Sequence, residues 1–239
     1  HVDHPVTTWM EPPTMIAGLD PAYTHGGDAS VMVIGRVGLA SINGKSIKVC
    51  ERLQTLFLDK EITDKSVDKS ESIVKLTHDK LNEYNIEVRN LAVDVSGAAA
   101  FSSLLAREIG SGFLEVVFNA KPTDMWISKS DKRKCCDVYT NLVSELWHVG
   151  KPLIREGQIK GIDPDTVEEM CQRSYTGNDK VKITIESKKD MKKRIHRSCD
   201  RSDAFFCMLH MARAKHGLSS TEVSADHKAL DSEMTELGR

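Results

Sequence analysis

MIAGLD at residues 15–20 and NLAVDVSG at 90–97 decide how this chain folds. Both are short apolar runs with one aspartate near the carboxyl end, Asp20 and Asp94. Runs of this length bounded by turn residues read as strands covered on both faces. Pro21 stops the first strand at Asp20. An ionised carboxylate in such a place is costly unless it is paired or metal-bound. Between the two runs, SVMVIGRVG (30–38) and SIKVCERLQTLFL (46–58) read as strands joined at Asn43-Gly44, a strong hairpin signal. Val67, Ile73, Val74, Leu76, Leu81 and Tyr84 recur at helical spacing over 66–84. AAAFSSLLAREIG (98–110) reads as a helix closed by Gly110, and FLEVVF (113–118) as a strand. The spacing predicts a helix over 131–148 and a short one from Pro164 to Cys171. VKITIE (181–186) alternates as a strand. A basic turn or helix follows, then a last helix from Asp200 to Lys215 ended by Gly217. Three strands with tight turns, then helix, strand, helix, strand and helices, make an α/β chain with a mixed sheet.

At 239 residues, the chain is long enough for one substantial domain or two small ones. No run of some twenty apolar residues suggests a membrane span, and no signal peptide is visible. The six cysteines (Cys50, Cys135, Cys136, Cys171, Cys199, Cys207) contain no C-x-x-C pair and read as reduced thiols of a cytosolic protein. The net charge of −2 argues nothing about nucleic acid. Its distribution does. From Glu186 to Arg201 seven Lys/Arg stand against three acids, a local excess of four positive charges suited to a phosphate backbone.

Asp200 and Asp203, in SCDRSDAFF, are three apart and share one face at a helix start. If that helix crosses the sheet, Asp203 reaches the point where Asp20 and Asp94 end their strands. Converging carboxylates without a His or Cys cluster suit hard cations such as magnesium or manganese. Two such ions about 3.5–4 Å apart can activate water against a phosphodiester. Lys188, Lys189, Lys192 and Arg197 would then contact phosphates. Plainer readings stand beside these. Asp20 before Pro21 suits a turn, Asp94 can cap the next helix, and Asp200 and Asp203 favour a helix N-terminus. The basic run can be a solvated face. Asp28 reads as shaping the Gly26-Gly27 turn, and His196 and His210 as ordinary histidines. GLASINGKS (38–46) has five residues between its glycines where a phosphate loop needs four, and DVSGA lacks the G-x-S-x-G elbow.

Together, GLDPAYTHGGDASV (18–31), LAVDVSGAAAFSSLL (91–105) and ESKKDMKKRIHRSCDRSDAFF (186–206) resemble the nuclease domain of tailed-phage terminase large subunits, over about residues 15 to 216. The family's first motif matches Asp20, Pro21, Ala22, Gly26, Gly27 and Asp28. Its second acid matches Asp94. Its third motif, similar to S-P-D-x-A-D-A, matches Ser198, Asp200, Asp203 and Ala204, with Cys199 in place of Pro and Ser202 in place of Ala. The resemblance implies a ribonuclease H-like fold: a mixed central sheet, three antiparallel strands then parallel strands, flanked by helices. It implies that Asp20, Asp94 and Asp203 hold two Mg2+ or Mn2+ ions with Asp200 as an accessory ligand, and that the chain cuts concatemeric viral DNA during genome packaging. The expected organisation is a linker at 1–13, a nuclease domain at 14–217 and a flexible acidic tail at 218–239. Expected partners are double-stranded DNA, an N-terminal ATPase domain of the same polypeptide, the portal protein and the small terminase subunit, all in the host cell cytoplasm and none at a membrane. The rivals are a Holliday-junction resolvase or transposase-like nuclease of the same fold, and a non-catalytic DNA-binding module.

Overall fold

The computed structural model describes residues 5–6, 8–23, 28–42, 44–96, 99–178 and 181–221. Strands β1 (Thr14–Asp20), β2 (Val31–Ile42) and β3 (Lys45–Phe57) form an antiparallel meander. Gly44 makes the β2–β3 turn with φ +73°, a backbone state that glycine adopts without strain, while Asn43 lies outside the described residues. Helix α1 (Lys69–Glu83) leads to β4 (Leu91–Asp94), parallel to β1. Helix α2 (Ala99–Ile109) leads to β5 (Leu114–Val116), parallel to β4. The sheet order is β5-β4-β1-β2-β3-β6, with the two-residue β6 (Ile159–Lys160) at the far edge. This is the mixed α/β sheet expected.

Period-two alternation assigns the sheet faces. Ala17, Leu19, Met32, Ile34, Leu91 and Val93 face α1 and α2. Ile16, Val31, Val33 and Ala92 face the other layer, built by α4 (Leu142–Arg155), α5 (Pro164–Gln172) and the central helix α7 (Asp200–His216). A Cβ on Gly18 would lie 2.2 Å from the Ala204 carbonyl oxygen and 2.3 Å from the Met208 amide nitrogen. Glycine at this position therefore lets the backbone of α7 lie directly on β1. Asp20 and Asp94 share the α7 face by the same alternation, two residues beyond Gly18 and Ala92.

Four features differ from the sequence reading. The helix expected over 131–148 is two: α3 (Cys135–Val138), then α4. Asn141 breaks them, its side chain accepting from Ser144 N at 3.1 Å as a helix cap. A two-stranded ribbon, β7 (Tyr175–Asn178) with β8 (Val181–Ile185), stands before the basic helix α6 (Lys188–Ile195). Part of the expected linker is packed: Trp9 bridges Ala40, Met10 N donates to Leu39 O, and Val6 is buried. The packed chain also runs four residues past Gly217. Leu218 is buried and Thr221 N donates to Glu156, while 222–239 lie outside the described residues.

Candidate active site

Asp20 and Asp94 end adjacent strands at the same register, one step past the Leu19↔Val93 pair of the parallel β1–β4 ladder. Asp200 and Asp203 occupy the first turn of α7. The elements that carry the four expected acids thus meet at one end of the sheet. At its centre sits Lys188, the first residue of α6. Its Nζ lies 3.2 Å from Asp20 Oδ2, 2.9 Å from Asp200 Oδ1 and 2.9 Å from Asp203 Oδ2. Arg173 Nη1 approaches the other side of Asp203 at 3.4 Å, and Cys199 Sγ donates to Asp203 Oδ2 at 3.3 Å. Asp200 also accepts from the Ala29 amide at 3.1 Å and from the Ser198 hydroxyl. Asp94 accepts from the Ser96 amide at 2.9 Å.

The electrostatics are those of too many acids for the available cations. Burial pushes the Asp20 carboxyl well above its usual range; Lys188 opposes this, while Asp203, Asp94 and Asp200 push it further up. Burial also raises Asp94; the bonds from Ser96 lower it, and Asp203 raises it again. Burial disfavours the charged form of Lys188, but Asp203, Asp20 and Asp200 outweigh it and hold the ammonium protonated.

Lys188, expected among the phosphate contacts, lies against three of these carboxylates. Lys192 pairs with Asp28, and Arg197 with Glu168 at 2.6 Å. Lys189 is exposed. His196 is the left-handed cap of α6, and burial lowers His210 to about 4, which leaves it neutral.

Two contributors from the segment 150–180 escaped the sequence reading. Arg173 is one. Glu169, on α5, is the other: its Oε2 accepts from Ser202 N at 3.0 Å. The N-cap residue of α7, Cys199, makes no side-chain cap bond, so α5 supplies the acceptor that holds the acid-bearing turn. Burial raises Glu169 to about 7, with Asp200 and Asp203 adding to the rise and Ser202 opposing it. Asp163 fixes α5 by capping it at Thr166 N and pairing with Arg52 of β3 at 3.2 Å. PDTVEEMCQR carries no pattern that separates these residues from an ordinary surface helix.

The sheet order, with acids at the ends of β1 and β4 and on α7, defines a ribonuclease H-like fold. Among solved structures, the chain is similar to the nuclease domain of the large terminase subunit gp2 of bacterial virus Sf6, at TM-score 0.56 and 16% identity, covering 82% of this chain and 87% of that one. It is similar to a variant of that domain with manganese, at TM-score 0.53 and 14% identity, covering 82% and 88%. A variant with calcium matches at TM-score 0.54 and 15% identity, over the same shares. No family model and no curated protein matches the chain. The fold is thus that of large-terminase nuclease domains.

Proposed function

We propose that the chain is a metal-dependent endonuclease that cuts viral DNA during genome packaging in the host cytoplasm. The observation that carries this reading is the ammonium of Lys188 seated among Asp20, Asp200 and Asp203, with Asp94 beside them. A cation already lies where the carboxylate oxygens converge, and they outnumber it. Among the described residues, no three Asp, Glu, His or Cys side chains stand close enough together to hold an ion as they are. The donor set is wholly carboxylate, the kind that suits Mg2+ or Mn2+.

Asp20, Asp94 and Asp203 would hold two such ions, with Asp200 assisting. Bound there, the ions supply a nucleophilic water and neutralise charge on the phosphodiester. The chain's own part is to hold these acids in place. Gly18 sets α7 against β1, Glu169 and Asp163 fix the turn bearing Asp200 and Asp203, and Arg173 orients Asp203. Lys189, Lys192 and Arg197 lie on or next to α6, within reach of a phosphate backbone. An N-terminal ATPase domain, the portal and the small terminase subunit are the partners this reading implies. No helix among the described residues is long and apolar enough to cross a membrane.

Supercoiled plasmid incubated with Mn2+ tests the proposal. The wild-type chain should linearise it, chelator should stop cutting, and Asp20→Asn should abolish cutting while the thermal transition is kept. Cutting by Asp20→Asn at the wild-type rate would sink the metal reading. Cleavage confined to branched junctions or transposon ends would favour the resolvase or recombinase reading.

A further inference from the structure

Residues 125–135 form a small hairpin that the site does not use. Cys135 N donates to Met125 O at 2.9 Å and Ile127 N to Arg133 O at 3.1 Å, around a Ser128–Asp131 turn. Alternation sorts its side chains. Ile127 and Cys135 are buried with Tyr139, Val149 and Ile183. Trp126 pairs directly across from Lys134, so both point the opposite way, together with Lys132 on the diagonal. Trp126 is 54% exposed and Lys132 Nζ lies 3.7 Å from its ring centroid.

Within the segment 121–134 basic residues predominate. Lys121, Lys129, Lys132 and Lys134 are exposed, and none is within ion-pair distance of an acid among the described residues. Arg133 is matched by Asp131 at 2.7 Å, which leaves Asp124 as the remaining acid of the segment 121–134. An exposed indole among uncompensated lysines is the composition that meets a polyanion with aromatic faces. The hairpin packs at the Arg213 end of α7, where Lys129 N donates to Ser220 O at 2.7 Å and Arg213 reaches Cys135, and its chain leads back towards the acids. It follows the carboxyl end of β5, where Phe118 N donates to Ser96 Oγ at 3.1 Å, two residues after Asp94. The eight residues from Phe118 to Trp126 span at most about 28 Å, less than one turn of duplex, about 34 Å.

We infer that this outward face is a second DNA contact, with Lys132 and Lys134 on phosphates and Trp126 against a sugar or base of the strand. The inference rests on the nuclease reading above. Anisotropy of a labelled 30-base-pair duplex, with chelator present so that nothing is cut, tests it. Lys132→Glu/Lys134→Glu should weaken binding at least tenfold and lower the slope of log Kd against log salt by about two. Trp126→Ala should weaken binding about fivefold or more and leave the slope unchanged. Lys45→Glu/Lys65→Glu, equally exposed elsewhere, serves as the control.

If the hairpin reversal binds no worse than the control reversal, the inference is overturned. Because Lys132 and Lys134 are surface residues, that arm stands even if Trp126→Ala misfolds. Plasmid cutting in Mn2+, measured separately on wild type, tells the two readings apart. Normal cutting with no hairpin effect on binding sinks only the hairpin contact. A hairpin effect in a chain that never cuts sinks only the nuclease.

Discussion

The two ends of α7 both bury charge, but in opposite ways. At its C-terminal end Arg213 Nη1 meets Glu145 Oε1 at 2.7 Å, with side chains 3% and 0% exposed. Thr123 completes that pair, its amide donating to Glu145 at 2.6 Å and its hydroxyl at 2.8 Å. One acid faces one base there, and the hydrogen bonds are filled. At the N-terminal end three carboxylates share Lys188, one edge of Arg173 meets Asp203, and Asp94 stands beside them. The first arrangement is closed and structural. The second gathers more carboxylates than cations, and the raised carboxyls of Asp20 and Asp94 record the mismatch. Burial of charge is common to both, so it is the imbalance that separates a candidate site from a strut.

Four experiments would break or sharpen that contrast. Asp203→Asn should lower plasmid cutting in Mn2+ on the order of a thousandfold, while the melting temperature holds or rises as repulsion is relieved. A melting loss as large as that from breaking the Arg213 pair would erase the distinction between the two ends. Arg213→Met should cost about 3–5 kcal/mol, because Glu145 is left buried and unpaired. Adding Glu145→Gln should recover much of it, and urea midpoints for the single and double variants check this. A loss under about 1 kcal/mol would mean that the pair is not the closed strut described.

Gly18→Ala should cost about 1–3 kcal/mol by forcing α7 off β1. It should also reduce cutting, since Asp203 and Asp20 then separate. Unchanged stability and cutting would show that the close approach of α7 is not needed. The smallest effect concerns Glu169. Burial holds its folded-state pKa at about 7, against 4.5 ordinarily. Between those values the folded protein keeps a proton that the unfolded chain releases, so stability falls as pH rises through that window. Glu169→Gln should flatten this slope. Equal wild-type-to-variant differences at pH 5 and pH 8 would contradict it.

Asp20 and Asp94 were legible because burial leaves a local trace: an apolar run, a stop at Pro21, and an acid where an acid is expensive. Asp200 and Asp203 were legible because three-residue spacing on a helix fixes a shared face. Lys188 was visible only as one cation among seven, and the side it faces depends on a partner 168 positions away in the chain. Arg173 and Glu169 lay in a stretch whose composition suits any exposed helix. The break at Asn141 was written in its capping chemistry but masked by the apolar stripe of Val138, Leu142, Val143, Leu146 and Trp147.

By itself, the order of residues determined most of the strands and helices and the acids at their ends, because hydrophobic period and turn chemistry act over a few neighbours. Only the tertiary structure decided what those acids face. The close contact of α7 with β1, the seat of Lys188 and the support from α5 depend on distances between segments far apart in the chain, which no local pattern encodes.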